Sequence, residues 1–306
     1  MNLGKPRCFP IWAAGSYVSL AAIASSRNTT SRNTPPSSGN IYIKTGELKF
    51  TYIYRGGFSM DYAEMSDKLV DLLGLKGKPI AVSLIKRAGD IPADLTELEE
   101  PRRYCQMLQD ARLKGITSLA TADTHSCKGG AAAIGLIDYG PNLKTGALYH
   151  YKLNKEVSLG VAKRVVDHMP RPAPGSTVAT VVAPLDNAPT DPDGAKPDVI
   201  VIMAGVLAAR RIVQAVIYQH GGRFNANFAG IQSTCADATA YPYITGDVNV
   251  SIGCDGAAKN AGLADDELVV GIPAELLGEI TGTLSECAPG WDDWQTGRIG
   301  YVRKNI

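Results

Sequence analysis

The strongest strand pattern in the sequence is Asp198-Val199-Ile200-Val201-Ile202-Met203, in which five apolar residues follow an aspartate without interruption. A run of this kind is typical of a strand that is buried on both faces of a sheet, because a strand with one solvent-exposed face would alternate apolar and polar residues. The residues that follow, 206–218, have helical spacing. We therefore predict a central strand followed by a helix that packs back onto the sheet.

In the rest of the chain, short apolar runs that indicate strands alternate with amphipathic segments that indicate helices. Helices are predicted at 61–73, 102–113, 131–136 and 156–168, and Gly74 and Gly115 favour the ends of the first two. Further strands are predicted at 80–85, 117–122, 177–185, 248–252 and 267–272. The pattern predicts an α/β or mixed α+β fold with a single sheet of about five to six strands and interleaved helices.

The overall composition excludes several classes of protein. The 306 residues are 45% hydrophobic and have a net charge of +1, which gives no global basic field of the kind that attracts nucleic acid. No apolar run reaches the ~18 residues that a membrane-spanning helix needs. We therefore expect a globular protein with neither a nucleic-acid partner nor a membrane partner.

The charge changes sign near residue 60. Residues 1–59 contain seven basic residues and one acidic residue, whereas the remainder has more acidic than basic residues. Arg55-Gly56-Gly57 can be encoded by a purine-rich ribosome-binding sequence just before Met60, so we predict a misassigned start and a single globular domain at 60–306. The alternatives are a secretory signal peptide in 1–24 or an organellar transit peptide.

Cysteines are the main candidates for chemistry. Cys127 and Cys254 each precede a glycine-containing segment at a predicted helix start, where backbone N–H groups stabilise a thiolate. Cys235 lies in a short polar segment that could also cap a helix, and Cys105 lies one turn into its helix. No two of them have the close spacing of a zinc ribbon or ferredoxin motif, so spacing alone does not establish a metal site.

Two other interpretations of these residues remain open. His125 lies two residues before Cys127 and could act as the base for a thiol nucleophile, which would make the protein a Cys-His thiol enzyme. Alternatively, the cysteines could be small buried hydrophobic residues in a protein that binds a small molecule.

Several motifs together resemble the archaeal-conserved-region family, a domain-of-unknown-function family common in methanogens and other anaerobes. The resemblance covers about residues 61–284 and rests on these motifs: Tyr104-Cys105-Gln106, Thr124-His125-Ser126-Cys127-Lys128-Gly129-Gly130-Ala131, Cys235-Ala236-Asp237, Asn249-Val250-Ser251-Ile252-Gly253-Cys254-Asp255-Gly256 and Val269-Val270-Gly271-Ile272-Pro273.

The resemblance implies that four cysteines belong to one pattern and that the setting is an anaerobic cytosol. Thiolates persist in such a cytosol and disulfides are disfavoured, so the four read as ligands of an iron–sulfur cluster or of zinc. An electron-transfer or accessory role with a redox or enzyme partner protein would follow. The expected ligands are Cys105, Cys127, Cys235 and Cys254, whereas Cys287 lies outside the matched motifs.

Overall fold

The computed structural model describes residues 61–190, 196–218 and 221–291. Within them one sheet of six strands has the order β2-β3-β1-β4-β6-β5, and every neighbouring pair is antiparallel. The fold is therefore mixed α+β, which confirms the predicted single sheet with interleaved helices. The strands are β1 (Ile80–Ile85), β2 (Ser118–Thr121), β3 (Ala179–Pro184), β4 (Val199–Gly205), β5 (Asn249–Ile252) and β6 (Glu267–Pro273).

Nine α-helices are present in these described ranges, together with two π-helical segments and three short 3₁₀ turns. The α-helices are α1 (Tyr62–Leu73), α2 (Tyr104–Lys114), α3 (Lys128–Ala133), α4 (Pro141–Lys144), α5 (Leu159–Asp167), α6 (Val206–Tyr218), α7 (Tyr241–Thr245), α8 (Asp255–Ala261) and α9 (Leu277–Cys287). The π-helical segments are Leu148–Lys152 and Ser233–Ala240. None of the helices in the described ranges is long and apolar enough to cross a membrane.

Strand β4 is buried on both faces, as its sequence predicts. Val201 and Met203 belong to one hydrophobic cluster, whereas Ile200 and Ile202 belong to another on the opposite side. Successive side chains of a strand point to opposite faces, so the apolar run contributes to two cores at once. We call the face of Val201 and Met203 the site face, because the segments that carry the candidate site cover it.

Helices cover both faces of the sheet. On the side opposite the site face, residues of α1, α6 and α9 pack against β4 and β6. On the site face, α2 and the π-helical segment Ser233–Ala240 pack against the sheet. This arrangement explains why a fully antiparallel sheet has a strand with no polar alternation.

Local signals fix most helix ends. Asp61 accepts a hydrogen bond from the Glu64 N–H at 2.7 Å and begins α1, and Gly74 ends it with a φ of 61°. Helix α5 begins later than its predicted start, because the Ser158 hydroxyl caps it by accepting from the Val161 N–H at 3.3 Å. The predictions for residues 1–59 lie outside the described residues.

Candidate functional site

Each of the four predicted cysteines lies at the start of a helical segment. Cys127 and Cys254 are the N-cap residues of α3 and α8, and the Cys127 sulfur accepts a hydrogen bond from the Gly130 N–H at 3.4 Å. Cys105 is the second residue of α2, and Cys235 is the third residue of the π-helical segment Ser233–Ala240. Backbone N–H groups that lack a helical partner are therefore available near each sulfur.

The four cysteines line one pocket of about 370 Å³ beside the site face. We call it the cysteine pocket, and we call Cys105, Cys127, Cys235 and Cys254 the pocket cysteines. They come from four separate parts of the chain and are brought together only by the fold. Cys287, at the end of α9, is not among the residues that line this pocket. The structure thus separates the four cysteines of the family motifs from the fifth described cysteine.

The pKa values show that the pocket cysteines interact electrostatically. The pKa of Cys105 is raised to about 11, mainly by burial and also by negative charge at Cys254 and Cys127, while Arg103 opposes the increase. Burial also raises the pKa of Cys235 well above its usual value, and negative charge on each of the other three sulfurs adds to the increase. Cys105 and Cys235 therefore favour the neutral thiol, and negative charge on the neighbouring sulfurs adds to that preference.

The pocket cysteines do not form a group that could hold a single metal ion in the part of the chain that the structure describes. Four Zn–S bonds of about 2.3 Å would hold neighbouring sulfurs about 3.8 Å apart. No group of three or more His, Cys, Asp or Glu residues that could hold one ion occurs among the residues that the structure describes. The pocket cysteines line one cavity without forming such a one-ion group.

His125 is only two residues from Cys127 in the sequence, but it is not hydrogen-bonded to Cys127. Its ring is fully buried, and Nε2 lies 3.1 Å from the Thr180 hydroxyl while Nδ1 has no hydrogen-bond partner. The pKa of His125 is lowered to about 4, mainly by burial and also by the positive charge of Lys128. The geometry therefore gives no support to a Cys127–His125 pair, because a general base must reach the thiol proton.

The π-helical segment Ser233–Ala240 was not predicted from the sequence. All eight of its residues are buried. The residue before it, Gln232, has a φ of 56°, which residues other than glycine rarely adopt. π-helical turns and such strained residues are frequent at functional sites. A single turn of π-helix leaves little trace in hydrophobic spacing, so the sequence offered no signal for it.

Strand β5 holds this segment through two buried polar side chains. The Asn249 amide donates to the carbonyl oxygens of Asp237 at 2.9 Å and Asn227 at 2.8 Å. The Ser251 hydroxyl donates to the Asp237 carboxylate at 2.7 Å, and burial raises the pKa of this carboxyl group to about 7. These contacts explain why polar residues alternate with apolar ones in β5.

A glycine lets the segment approach the sheet. A Cβ atom at Gly271 of β6 would lie 2.1 Å from the Ala238 carbonyl oxygen, so no other residue fits there without displacing backbone. The position of Cys235 in the pocket therefore depends on Gly271.

Gln232 also links two tyrosines beside the cysteine pocket. The Tyr139 hydroxyl donates to Gln232 Oε1 at 3.2 Å, and Gln232 Nε2 donates to the Tyr149 hydroxyl at 3.2 Å. Gln232 and Tyr149 line the pocket, and neither was a candidate from the sequence. Neither residue lies in a recognisable sequence motif.

The rim of the cysteine pocket is mainly basic. Arg103, Lys155 and Lys259 line it together with one acidic residue, Asp255. Lys155 forms an ion pair with Asp255 at 2.8 Å, and Lys155 and Lys259 both lower the pKa of that carboxyl group. The rim therefore carries a net positive charge over a pocket whose own titratable groups are thiols.

Comparison with known proteins gives a family but no activity. The family model described as DUF169, Uncharacterised ArCR, matches residues 68–282. The chain is 41% identical over 229 residues to Uncharacterized protein MJ0308 from Methanocaldococcus jannaschii, and this alignment covers 74% of the chain and 95% of that protein. No solved structure matches the chain. The resemblance predicted from the motifs is confirmed, and the matched range includes all four pocket cysteines.

Proposed function

This chain belongs to the DUF169 family of uncharacterised ArCR proteins, and we propose that its pocket cysteines hold an iron–sulfur cluster. The observation that carries the proposal is the convergence of four thiols from four separate segments on one cavity of about 370 Å³. Iron–sulfur clusters are held by cysteine thiolates in sets of four. The cluster, when bound, would supply a carrier for single electrons.

The charge balance of the pocket supports a group that contains cations. Cys105 and Cys235, whose pKa values are raised mainly by burial and also by the neighbouring sulfurs, stay protonated unless bound iron compensates the charge of their thiolates. A cluster with four thiolates is anionic overall, so it needs donors around it. The N–H groups at the start of the eleven-residue helix α2 and the nearby guanidinium of Arg103 provide such donors.

The lack of a one-ion site among the described residues is the reason we propose a cluster and not zinc. The described residues contain no group suited to one ion, whereas a cluster with several irons separates its ligands more widely. The pocket cysteines would thus be ligands, and the surrounding residues would exclude water and set their positions. A cluster near a basic rim suits the transfer of electrons to or from another molecule.

We expect that molecule to be a redox or enzyme partner with an acidic surface. The cations Arg103, Lys155 and Lys259 at the rim outnumber the acidic Asp255, so attraction would guide an acidic partner to the pocket. The rate of electron exchange with a small acidic carrier protein should then fall as salt is raised from about 50 to 300 mM. Salt at these concentrations screens exposed charges over a Debye length of ~10 Å, which weakens the attraction between the two proteins. A rate that is independent of salt would argue against this partner.

The first experiment measures the bound metal. The protein is purified without oxygen, and its visible absorption, iron, sulfide and zinc are determined per chain. We expect a brown protein with near-equal iron and sulfide and little zinc. A colourless protein without metal, even after reconstitution with iron and sulfide, would contradict the proposal and favour a pocket for a small organic ligand.

Substitution of single cysteines then tests the ligand set. Cys127→Ala and Cys254→Ala should each lose most of the iron, because removal of one of the four ligands weakens the binding of the whole cluster. Both residues are only partly buried, so folding should survive and can be checked by circular dichroism. Cys287→Ala is the matched control, since Cys287 is also partly buried but does not line the pocket. Full iron content in Cys254→Ala would argue strongly against the proposed ligands.

A further inference from the structure

A directed chain of hydrogen bonds ends at the cysteine pocket. Tyr139 donates to Gln232 and Gln232 donates to Tyr149, each over 3.2 Å, so the hydroxyl oxygen of Tyr149 acts as an acceptor. The Tyr139 and Tyr149 side chains are only 3% and 4% exposed. The Tyr149 proton is therefore still available for donation.

No acceptor for this proton is present in the described part of the chain. The only hydrogen bond that the Tyr149 hydroxyl makes there is the one it accepts from Gln232. A buried donor without an acceptor is unfavourable, and buried tyrosine hydroxyl groups usually have a partner. The Tyr149 side chain lines the cysteine pocket, so a group bound in that pocket is the natural acceptor.

Two of the sulfurs also interact electrostatically with this hydroxyl group. Burial is the largest cause that raises the pKa of Tyr149, the Gln232 hydrogen bond partly opposes it, and thiolates at Cys235 and Cys254 raise it further. The same negative charges that disfavour a tyrosinate favour a neutral hydroxyl group that donates a hydrogen bond.

We propose that Tyr149 donates a hydrogen bond to a sulfur of the bound cluster and that Gln232 is the residue that positions it. This inference rests on the proposed function. Hydrogen bonds to the sulfurs help to set the reduction potential of a cluster. Reduction adds negative charge to the cluster, so a donor stabilises the reduced form more than the oxidised form and raises the potential.

The conformation of Gln232 is consistent with a positioning role. Its backbone has the rare φ of 56°, and both ends of its side-chain amide are engaged by tyrosines. Its Nε2 atom also lies 3.4 Å from where a Cβ atom at Gly129 would be. The amide thus lies between the two tyrosines and the start of α3.

The test is the reduction potential of Tyr149→Phe in the cluster-loaded protein, measured by a redox titration followed in the visible spectrum. We expect iron content close to that of the wild type, a more negative midpoint potential and a change in the Fe–S stretching bands in resonance Raman spectra. Tyr151→Phe is the matched control in the same segment, because Tyr151 is 74% exposed and does not line the pocket. An unchanged potential and unchanged bands in Tyr149→Phe would overturn the inference.

A second variant covers the case in which Tyr149→Phe fails to fold. Gln232→Leu leaves the Tyr149 hydroxyl group in place but removes the donor that orients it, so we expect a smaller shift in the same direction. A potential equal to that of the wild type in Gln232→Leu would count against its positioning role. Absence of iron from the wild-type protein would instead contradict the proposed function, so the two failures are distinguishable.

Discussion

At the scale of single residues, the candidate site depends on a glycine as well as on its cysteines. Gly271 allows the backbone of the π-helical segment to lie directly on the sheet, where a Cβ atom would be 2.1 Å from the Ala238 carbonyl oxygen and 2.8 Å from Pro242. The backbone cannot yield there without moving Cys235, which is three residues away in the same segment. A glycine in β6 is therefore part of the architecture of the pocket.

Replacement of this glycine should affect both stability and metal binding. We expect Gly271→Ala to lower the free energy of unfolding by at least about 1–3 kcal/mol, the usual cost of overpacking, and to reduce iron content. Urea unfolding and iron analysis measure the two effects. Gly278→Ala in α9 is the control, since a Cβ atom there meets nothing within 4 Å. Full stability and full iron in Gly271→Ala would show that the close approach is unimportant.

At the scale of elements, β5 fastens the π-helical segment to the sheet by side-chain hydrogen bonds. Asn249 is fully buried and satisfies three backbone groups, because it also accepts from the Asn227 N–H at 2.9 Å. A π-helical turn has less favourable packing than an α-helical one, so such external contacts stabilise it. The same residue joins the loop at Asn227 to the segment that carries Cys235.

Removal of these hydrogen bonds should loosen the segment. Asn249→Ala leaves several buried backbone groups without a partner, so we expect it to destabilise the protein by about 2–5 kcal/mol and to weaken retention of iron. Asn187→Ala is the comparison, because the Asn187 amide makes one exposed hydrogen bond with the Thr117 hydroxyl at 3.1 Å. It should change stability by less than about 0.5 kcal/mol. Thermal unfolding of both variants checks the difference, and equal effects would refute the assigned role of Asn249.

At the scale of the whole molecule, a buried ion pair joins the helix of Cys105 to the sheet. The Arg112 guanidinium of α2 donates to both carboxylate oxygens of Glu267 in β6, and their side chains are only 4% and 5% exposed. Hydrogen bonds from Arg112 lower the pKa of Glu267, burial opposes this, and the positive charge of Arg112 lowers it further. The pair therefore fixes α2 over the site face.

This pair should make stability depend on pH in acid. Because the folded-state pKa of Glu267 lies below its value in the unfolded chain, the pair contributes fully above about pH 4.5 and its contribution is lost as pH falls through the folded-state pKa. We expect Glu267→Gln to cost about 3–5 kcal/mol at pH 7, with a difference from the wild type that shrinks below about pH 4.5.

Urea unfolding from pH 7 to pH 3 measures this difference. A difference that stays constant over the whole range would show that ionisation of Glu267 does not contribute. Glu64→Gln is the matched control, because Glu64 forms an exposed ion pair with Lys68 at 3.0 Å. Its effect should be at most about 1 kcal/mol at any pH.

Local patterns were sufficient to predict the six strands, several of the longer helices and the class of the fold. The apolar run of β4, the amphipathic spacing of α1 and α6 and the glycines at the ends of α1 and α2 depend on neighbouring residues only, and all were predicted. The positions of Cys127 and Cys254 at helix starts followed from the same local signals. The family resemblance followed from short motifs, which are also local.

Only the tertiary structure decided which residues share the candidate site. The pocket cysteines are separated by 22, 108 and 19 positions along the chain, and no spacing rule joins them, so their common cavity arises from the packing of α2, α3, α8 and the π-helical segment on one face of the sheet. The roles of Gly271, Asn249 and Tyr149 depend on contacts between distant segments. The sequence by itself thus determined the strands, most of the longer helices and the family, whereas long-range packing determined the pocket, because packing brings together residues that no local pattern relates.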